Sequence, residues 1–257
     1  MSARAGVAYA VAAFATWGVL PVYYKAVASV PATEVLAHRI VWSLILLALL
    51  ISWSRSWGQI RTAFADRRTR AWMLLSSVLV AVNWLVFIYA IAHDQVVECS
   101  LGYFINPLVN VLLGTWLLKE RLRPAQVVAV TIAAVAVAGM TIAYGSLPWV
   151  SLVLAGTFAA YALVRKTVKV DAMAGLGVET MLLTPIALGY LFWLETKGAG
   201  HFGHDSRLSL LLIAAGPVTA LPLLWFVCGA RRLRFSTVGL LQYIAPTGHF
   251  LLGVLVY

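Results

Sequence analysis

Nine apolar runs, separated by short polar interruptions, make up almost the whole chain: roughly 5–27, 34–53, 71–92, 99–118, 125–143, 149–164, 175–194, 209–229 and 236–257. A helix needs about 20 mostly apolar residues to cross a hydrocarbon core of about 30 Å. The pattern therefore predicts nine membrane-spanning helices, with sequential neighbours antiparallel. A membrane β-barrel would show alternating segments of about ten residues instead, and no such alternation occurs. The first run begins after Arg4 and contains Trp17, Pro21 and Tyr23. It is too long for the apolar region of a signal peptide and reads as a retained first span.

One segment occurs twice. LGYFINPLVNVLLG (Leu101 to Gly114) returns as LLQYIAPTGHFLLG (Leu240 to Gly253), every pair 139 positions apart and without a gap. Six of the fourteen pairs are identical, Pro107/Pro246 and Gly114/Gly253 among them, and Phe104/Tyr243 is close. A looser echo joins FATW (Phe14 to Trp17) to FAAY (Phe158 to Tyr161). The repeated unit is five spans long, as in transporters built from internal repeats.

Charge gives the repeat its direction. The chain is 62% hydrophobic and 11% charged, against about 25% charged in a soluble domain. Its net charge of +10 could suggest nucleic-acid binding, but no basic domain exists outside the spans. Fifteen of the nineteen basic residues fall in the N-terminal tail and in alternate connections, in clusters such as KERLR (Lys119 to Arg123) and RRLR (Arg231 to Arg234). The positive-inside rule then predicts a cytoplasmic N-terminus. Span 4 runs inward to its basic cluster and span 9 runs outward from its own, so the two copies oppose each other. The expected fold is all-α and polytopic, an inverted repeat of five-helix units. Its halves are 1–144 and 145–257. Tyr257 aligns with Leu118, so the register predicts a turn and a tenth helix beyond it, nine helices belonging to this chain.

The sequence resembles the EamA-type drug/metabolite transporters, and within them the RarD group. The resemblance rests on AAFATWGVLPVYYKAV (Ala12 to Val27), VPATEVLAHRIVWS (Val30 to Ser43), LGYFINPLVNVLLG followed by KERL, and LLQYIAP (Leu240 to Pro246). It implies ten helices in two inverted halves around a central cavity, and transport of small organic solutes or drugs. Chloramphenicol sensitivity is attached to the RarD name. The resemblance fixes no substrate.

Polar residues within spans are costly and usually face a cavity or a partner. Glu34 and His38, four apart, share a helix face with Arg39 beside them, and read either as a charged gate or substrate anchor or as an interfacial cluster. Glu34, His38 and Glu179 are candidates for proton coupling. Tyr103, Asn106 and Asn110 form one stripe on span 4. The repeat register pairs Tyr103 with Gln242, Phe104 with Tyr243 and Asn110 with His249. These groups read as lining a solute cavity or as polar contacts between helices. Trp17, Tyr24, Trp84 and Tyr161, with Asn83, are candidates for an aromatic wall suited to flat solutes or, through ring faces, to cations; Tyr89 reads as wall or interface belt. Pro21, Pro107, Pro222 and Pro246 each remove a backbone donor and are hinge candidates.

Span 5, rich in Ala and Val, could pack against a second copy through Ala129, Ala133 and Ala136, so the expected partners are a small organic solute, the lipid bilayer and a homodimer. No P-loop, HExxH or GxSxG pattern occurs, and no cofactor is expected. HFGHD (His201 to Asp205) in an outer connection, near His93, Asp94 and Glu98, is the nearest candidate for metal ligation. Cys99 and Cys228 fall near opposite membrane faces, too far apart for a disulfide. The leading reading is an inner-membrane permease working by alternating access, with a passive channel, a lipid-moving protein or an intramembrane enzyme behind it.

Overall fold

A computed structural model describes residues 3–92, 95–122, 124–144 and 148–255, and gives only the backbone at some of these, Ala133 and Ala136 included. His93, Asp94 and Tyr257 lie outside the described residues, as do the side chains of Ala133 and Ala136.

The described residues form helices and no strand. In chain order the helices are α1 (Ala3–Ala26), α2 (Ala32–Trp53), α3 (Trp57–Ala65), α4 (Arg67–Ala92), α5 (Val96–Trp116), α6 (Pro124–Tyr144), α7 (Trp149–Thr167), α8 (Ala172–Thr196), α9 (Ser206–Ala230), α10 (Phe235–Leu241) and α11 (Ile244–Leu255). Six of them, α1, α2, α4, α7, α8 and α9, are long and apolar enough to cross a membrane. The protein is an all-α, multi-pass membrane protein.

Two features depart from the hydropathy pattern. The 54–70 connection contains α3, whose Ile60 and Ala63 are buried while the helix packs on α4 and α8. Its charged neighbours made it read as a loop. The ninth run is also not one helix. Pro246 has no amide hydrogen to give the Gln242 carbonyl, which accepts instead from the Ala245 amide at 3.1 Å. The chain turns at Gln242 and Tyr243 between α10 and α11. Pro107, its repeat partner, lies within an α5 that stays continuous.

The helix pairings follow the repeat. If α1, α2, α4 and α5 are exchanged with α7, α8, α9 and α10–α11, the α1–α9 contact becomes α7–α4, and the α5–α7 contact becomes α11–α1; all four occur. α2 meets its equivalent α8, and α5 meets α10 and α11. Two side chains sit where equivalent helices meet. Tyr243 Oη donates to the Phe104 carbonyl at 3.4 Å, and their rings are 6.2 Å apart. A residue that touches its own repeat partner lies at the axis relating the halves. α6 packs on α5 and leaves Val127, Val128, Ile132 and Val135 exposed, as a lipid-facing helix does.

Close approach of α1 and α11 depends on small residues. A Cβ on Gly248 would come within 2.9 Å of the Gly18 Cα. Small residues allow such backbone contact between helices in lipid.

Candidate functional site

Where α1, α2, α4, α5, α7 and α11 converge, they enclose a cavity of about 60 Å³. Trp17 and Tyr24 reach it from α1, Arg39 from α2, Asn83 and Trp84 from α4, Tyr103 from α5 and His249 from α11, with Gln242 at the α10–α11 break. The sequence did not single out Phe14, Leu20, Phe87, Phe158 or Ala245, which complete the lining. Apolar residues in an apolar span carry no signal of facing a cavity, which is why these five were missed. Asn106, Asn110, Tyr161 and Tyr243 stand outside the lining.

Aromatic rings make most of the wall. Trp17 meets Phe158 edge-on at 5.5 Å, Tyr24 meets Phe87 at 5.7 Å, and Phe87 meets Tyr103 at 5.8 Å. Edge-to-face pairs of this kind hold rings in fixed orientations. The polar groups are held from behind. Asn110 Nδ2 donates to Gln242 Oε1 at 2.8 Å and to Asn106 Oδ1 at 3.0 Å, and Asn106 donates to the Ala155 carbonyl at 2.7 Å. Asn83 Nδ2 donates to Leu154 O and Thr157 Oγ1, both at 2.9 Å. His249 Nε2 donates to the Trp17 carbonyl at 2.9 Å. Exchange of repeat partners converts the Asn110–Gln242 pair into His249–Tyr103, and those rings indeed meet at 5.3 Å.

Arg39 carries the cavity's positive charge. It is 5% exposed, and its guanidinium carbon lies 4.1 Å from the centre of the Trp84 ring. Nε donates to Thr219 Oγ1 at 2.9 Å and Nη1 to Tyr24 Oη at 2.8 Å. Thr219, from α9, is a partner that the sequence did not reveal.

Glu34 and His38 do not join Arg39. Buried Glu34 accepts from the His201 amide at 2.7 Å and meets His201 Nδ1 at 2.8 Å. His38 Nε2 is 3.9 Å from Glu34, and its ring faces Phe202 at 5.0 Å. This cluster ties the start of α2 to the α8–α9 connection. His201, weighed as a metal ligand, is thus a partner of Glu34. Among the described residues no three metal-ligating side chains gather, and Cys99 and Cys228 are both free thiols.

Glu179 has a site of its own. It is 1% exposed and lines a second, water-sized space of about 10 Å³ together with Thr180, Ser43, Thr219 and Trp84. Trp84 therefore borders both spaces. Arg165 Nε stands 3.5 Å from Glu179 Oε1, Ser76 donates to the same carboxylate, and Tyr161 Oη donates to Oε2 at 3.5 Å. Arg165 also donates to the Ala172 carbonyl at 3.0 Å. It had counted only toward a basic loop cluster, yet it is 1% exposed. A Cβ on Gly175 would overlap its guanidinium, so the ion pair depends on a glycine in the first turn of α8. Arg39 and Glu179 occupy matching places: each stands seven residues after the first residue of its helix, Ala32 in α2 and Ala172 in α8.

Glu120, in the KERL stretch, joins the halves at the α10 start. It accepts from the Phe235 amide at 2.8 Å, the Ser236 amide at 3.1 Å and the Ser236 hydroxyl at 3.0 Å. Burial alone would raise its carboxyl, but these bonds and the nearby Lys166 charge outweigh burial and hold it below the ordinary carboxylate value.

The candidate hinge prolines lie inside helices: Pro21 in α1, Pro107 in α5, Pro222 in α9 and Pro246 in α11. Tyr89 is 42% exposed and faces Trp149, away from the cavity.

Comparison with known proteins agrees with this fold. Residues 4–142 match the model of the EamA-like transporter family. Over 99% of its length the chain is 47% identical to Protein RarD of Salmonella typhi, covering 87% of that protein. It is 46% identical to Protein RarD of Escherichia coli K12, covering 86% of it. It is 44% identical to a Vibrio cholerae protein named as an uncharacterized transporter, covering 85% of it. A protein of known crystal structure superposes with a TM-score of 0.71 at 19% identity, over 98% of this chain and 89% of that one. At that identity the likeness concerns the fold.

Proposed function

The chain belongs to the EamA-like transporter family, and from that premise we propose that it is a secondary transporter moving small organic solutes across the cytoplasmic membrane by alternating access. Its halves, 1–144 and 145–257, rock about the axis marked by Phe104 and Tyr243. The N-terminus is cytoplasmic. The Arg39 cavity opens outward, and the neighbouring space at Glu179, which shares Trp84 with it, opens toward the cytoplasm. Pro21, Pro107, Pro222 and Pro246 supply bending points where helix hydrogen bonds are already missing. Glu179 is the favoured proton-coupling residue, since it borders a space that shares Trp84 with the cavity, whereas Glu34 and His38 are engaged with the His201 connection.

One observation carries the reading. The cavity lies where equivalent helices of the two halves meet, and two contacts at its wall, Asn110–Gln242 and Tyr103–His249, exchange with one another under the 139-residue register. Ligand sites of inverted-repeat transporters lie at the repeat interface, beside broken helices, as Gln242 does at the α10–α11 break.

Solute counterflow tests this. Purified protein in liposomes preloaded with unlabelled solute should accumulate labelled solute transiently and saturably, from a panel of small organic acids, amides and amines. Flux that grows linearly with concentration and shows no counterflow contradicts a carrier and marks a channel.

A further inference from the structure

The cavity holds a buried cation with no anion paired to it among the described residues. None of the ion pairs among the described residues includes Arg39. Its recorded partners, Thr219 and Tyr24, are neutral hydroxyls, and its remaining neighbour is the Trp84 ring. The nearby Glu34 is committed to His201. A charge withdrawn from water this far is costly unless paired. Its counterpart Glu179 has its ion pair with Arg165; Arg39 has none.

We propose that the Arg39 end of the cavity is a carboxylate site, and that the solutes are organic monoanions with a flat apolar body. This rests on the transporter reading for its purpose, though the site itself rests on the cavity. The guanidinium is a planar donor suited to a carboxylate. Tyr24 Oη accepts its bond from Arg39, so its own proton is free to donate to the same ligand. Gln242 Oε1 is taken by Asn110, which leaves the Gln242 amide nitrogen to donate. Asn83 spends its nitrogen on Leu154 and Thr157, so its oxygen is left to accept from a hydroxyl or amide on the body of the solute. Trp17, Phe87, Tyr103 and Phe158 give that body ring edges and faces to pack on. A cationic solute would enter against the Arg39 charge, and Trp84, the ring face nearest that charge, is already covered by the guanidinium. A neutral solute would leave the charge unmatched.

Three probes of one shape separate these cases: phenylacetate, phenylacetamide and 2-phenylethylamine, titrated calorimetrically into the full chain in detergent. The wild type should bind the acid at least about tenfold more tightly than the amide and should not bind the amine. Arg39→Gln should bring acid and amide to near-equal affinity. Arg39→Lys, a point charge without the planar fork, should keep a reduced preference for the acid. Equal binding of acid and amide by the wild type overturns the proposal. So does an acid preference that survives in Arg39→Gln, or wild-type binding of none of the three. If Arg39→Gln does not fold, Arg39→Lys decides: an acid preference equal to that of wild type counts against the site. Counterflow separates the two readings. Saturable exchange of some other solute with no phenylacetate binding removes the anion site and leaves the transporter. Arg39-dependent phenylacetate binding with no exchange of any solute does the reverse.

Discussion

Arg39 and Glu179 each stand seven residues after the first residue of α2 and α8, which pack on one another, yet their surroundings differ. Glu179 is surrounded by partners, with Arg165, Ser76 and Tyr161 all on its carboxylate. Arg39 has two hydroxyls and an aromatic face. One end of the protein's polar axis is closed by its own ion pair. The other has no ion pair among the described residues. A two-fold fold thus carries an electrostatic asymmetry, written in the side chains that the repeat did not keep identical. The broken span shows the same thing in the backbone: Pro107 sits in a continuous helix, whereas Pro246 follows a turn that brings Gln242 to the cavity.

The largest effect should come from breaking the closed end. Glu179→Gln leaves the buried Arg165 without a counter-charge and should cost about 3–5 kcal/mol of stability, read as a lower unfolding midpoint in detergent. Removing both charges in Arg165→Met with Glu179→Leu should restore most of that loss. If the single variant is as stable as wild type, the pair does not close this end. Thr219→Val at the open end removes a hydroxyl that satisfies a buried charge and should cost about 1–3 kcal/mol. Phenylacetate should recover part of it by binding to the folded state. Gly175→Ala should cost a similar amount, about 1–3 kcal/mol, by overpacking the Arg165 guanidinium. In an Arg165→Met background the cost should fall, which a double-mutant cycle measures.

The smallest effect concerns Glu120, which belongs to neither end. Its carboxyl is held below the ordinary value of 4.5 in the folded state. The stability this contributes is fully present above that value and disappears as pH falls through the lower folded value. Glu120→Gln should therefore flatten the acid limb of the stability profile while changing little at pH 7 beyond a constant offset.

The sequence displayed the spans well, because eight of the nine apolar runs became helices within a few residues of their expected limits. Bilayer thickness sets those lengths, and hydropathy reads it directly. The α10–α11 break was missed because a proline in a span signals a kink or nothing, and tertiary contacts decide which. Arg39, Trp84, Gln242 and His249 were legible as site candidates because polar and amphipathic groups in a span demand an explanation. Thr219 and Arg165 were not. A threonine in an apolar helix satisfies itself through its own backbone as a rule, and an arginine near a span end looks like a topological charge. Phe87 and Phe158 gave no signal, since one apolar residue resembles another until the packing is known.

The central claim is that these two ends open in turn around one cavity. The most direct measurement is thiol accessibility in a chain lacking Cys99 and Cys228, with single cysteines at Ser76, beside Glu179, or Leu20, on the wall of the Arg39 cavity. A membrane-impermeant maleimide is applied to right-side-out and inverted vesicles. Each site should react from one side only, the two from opposite sides, and phenylacetate should change their rates in opposite directions. Reaction of both sites from the same side, or parallel changes in rate, would contradict the account.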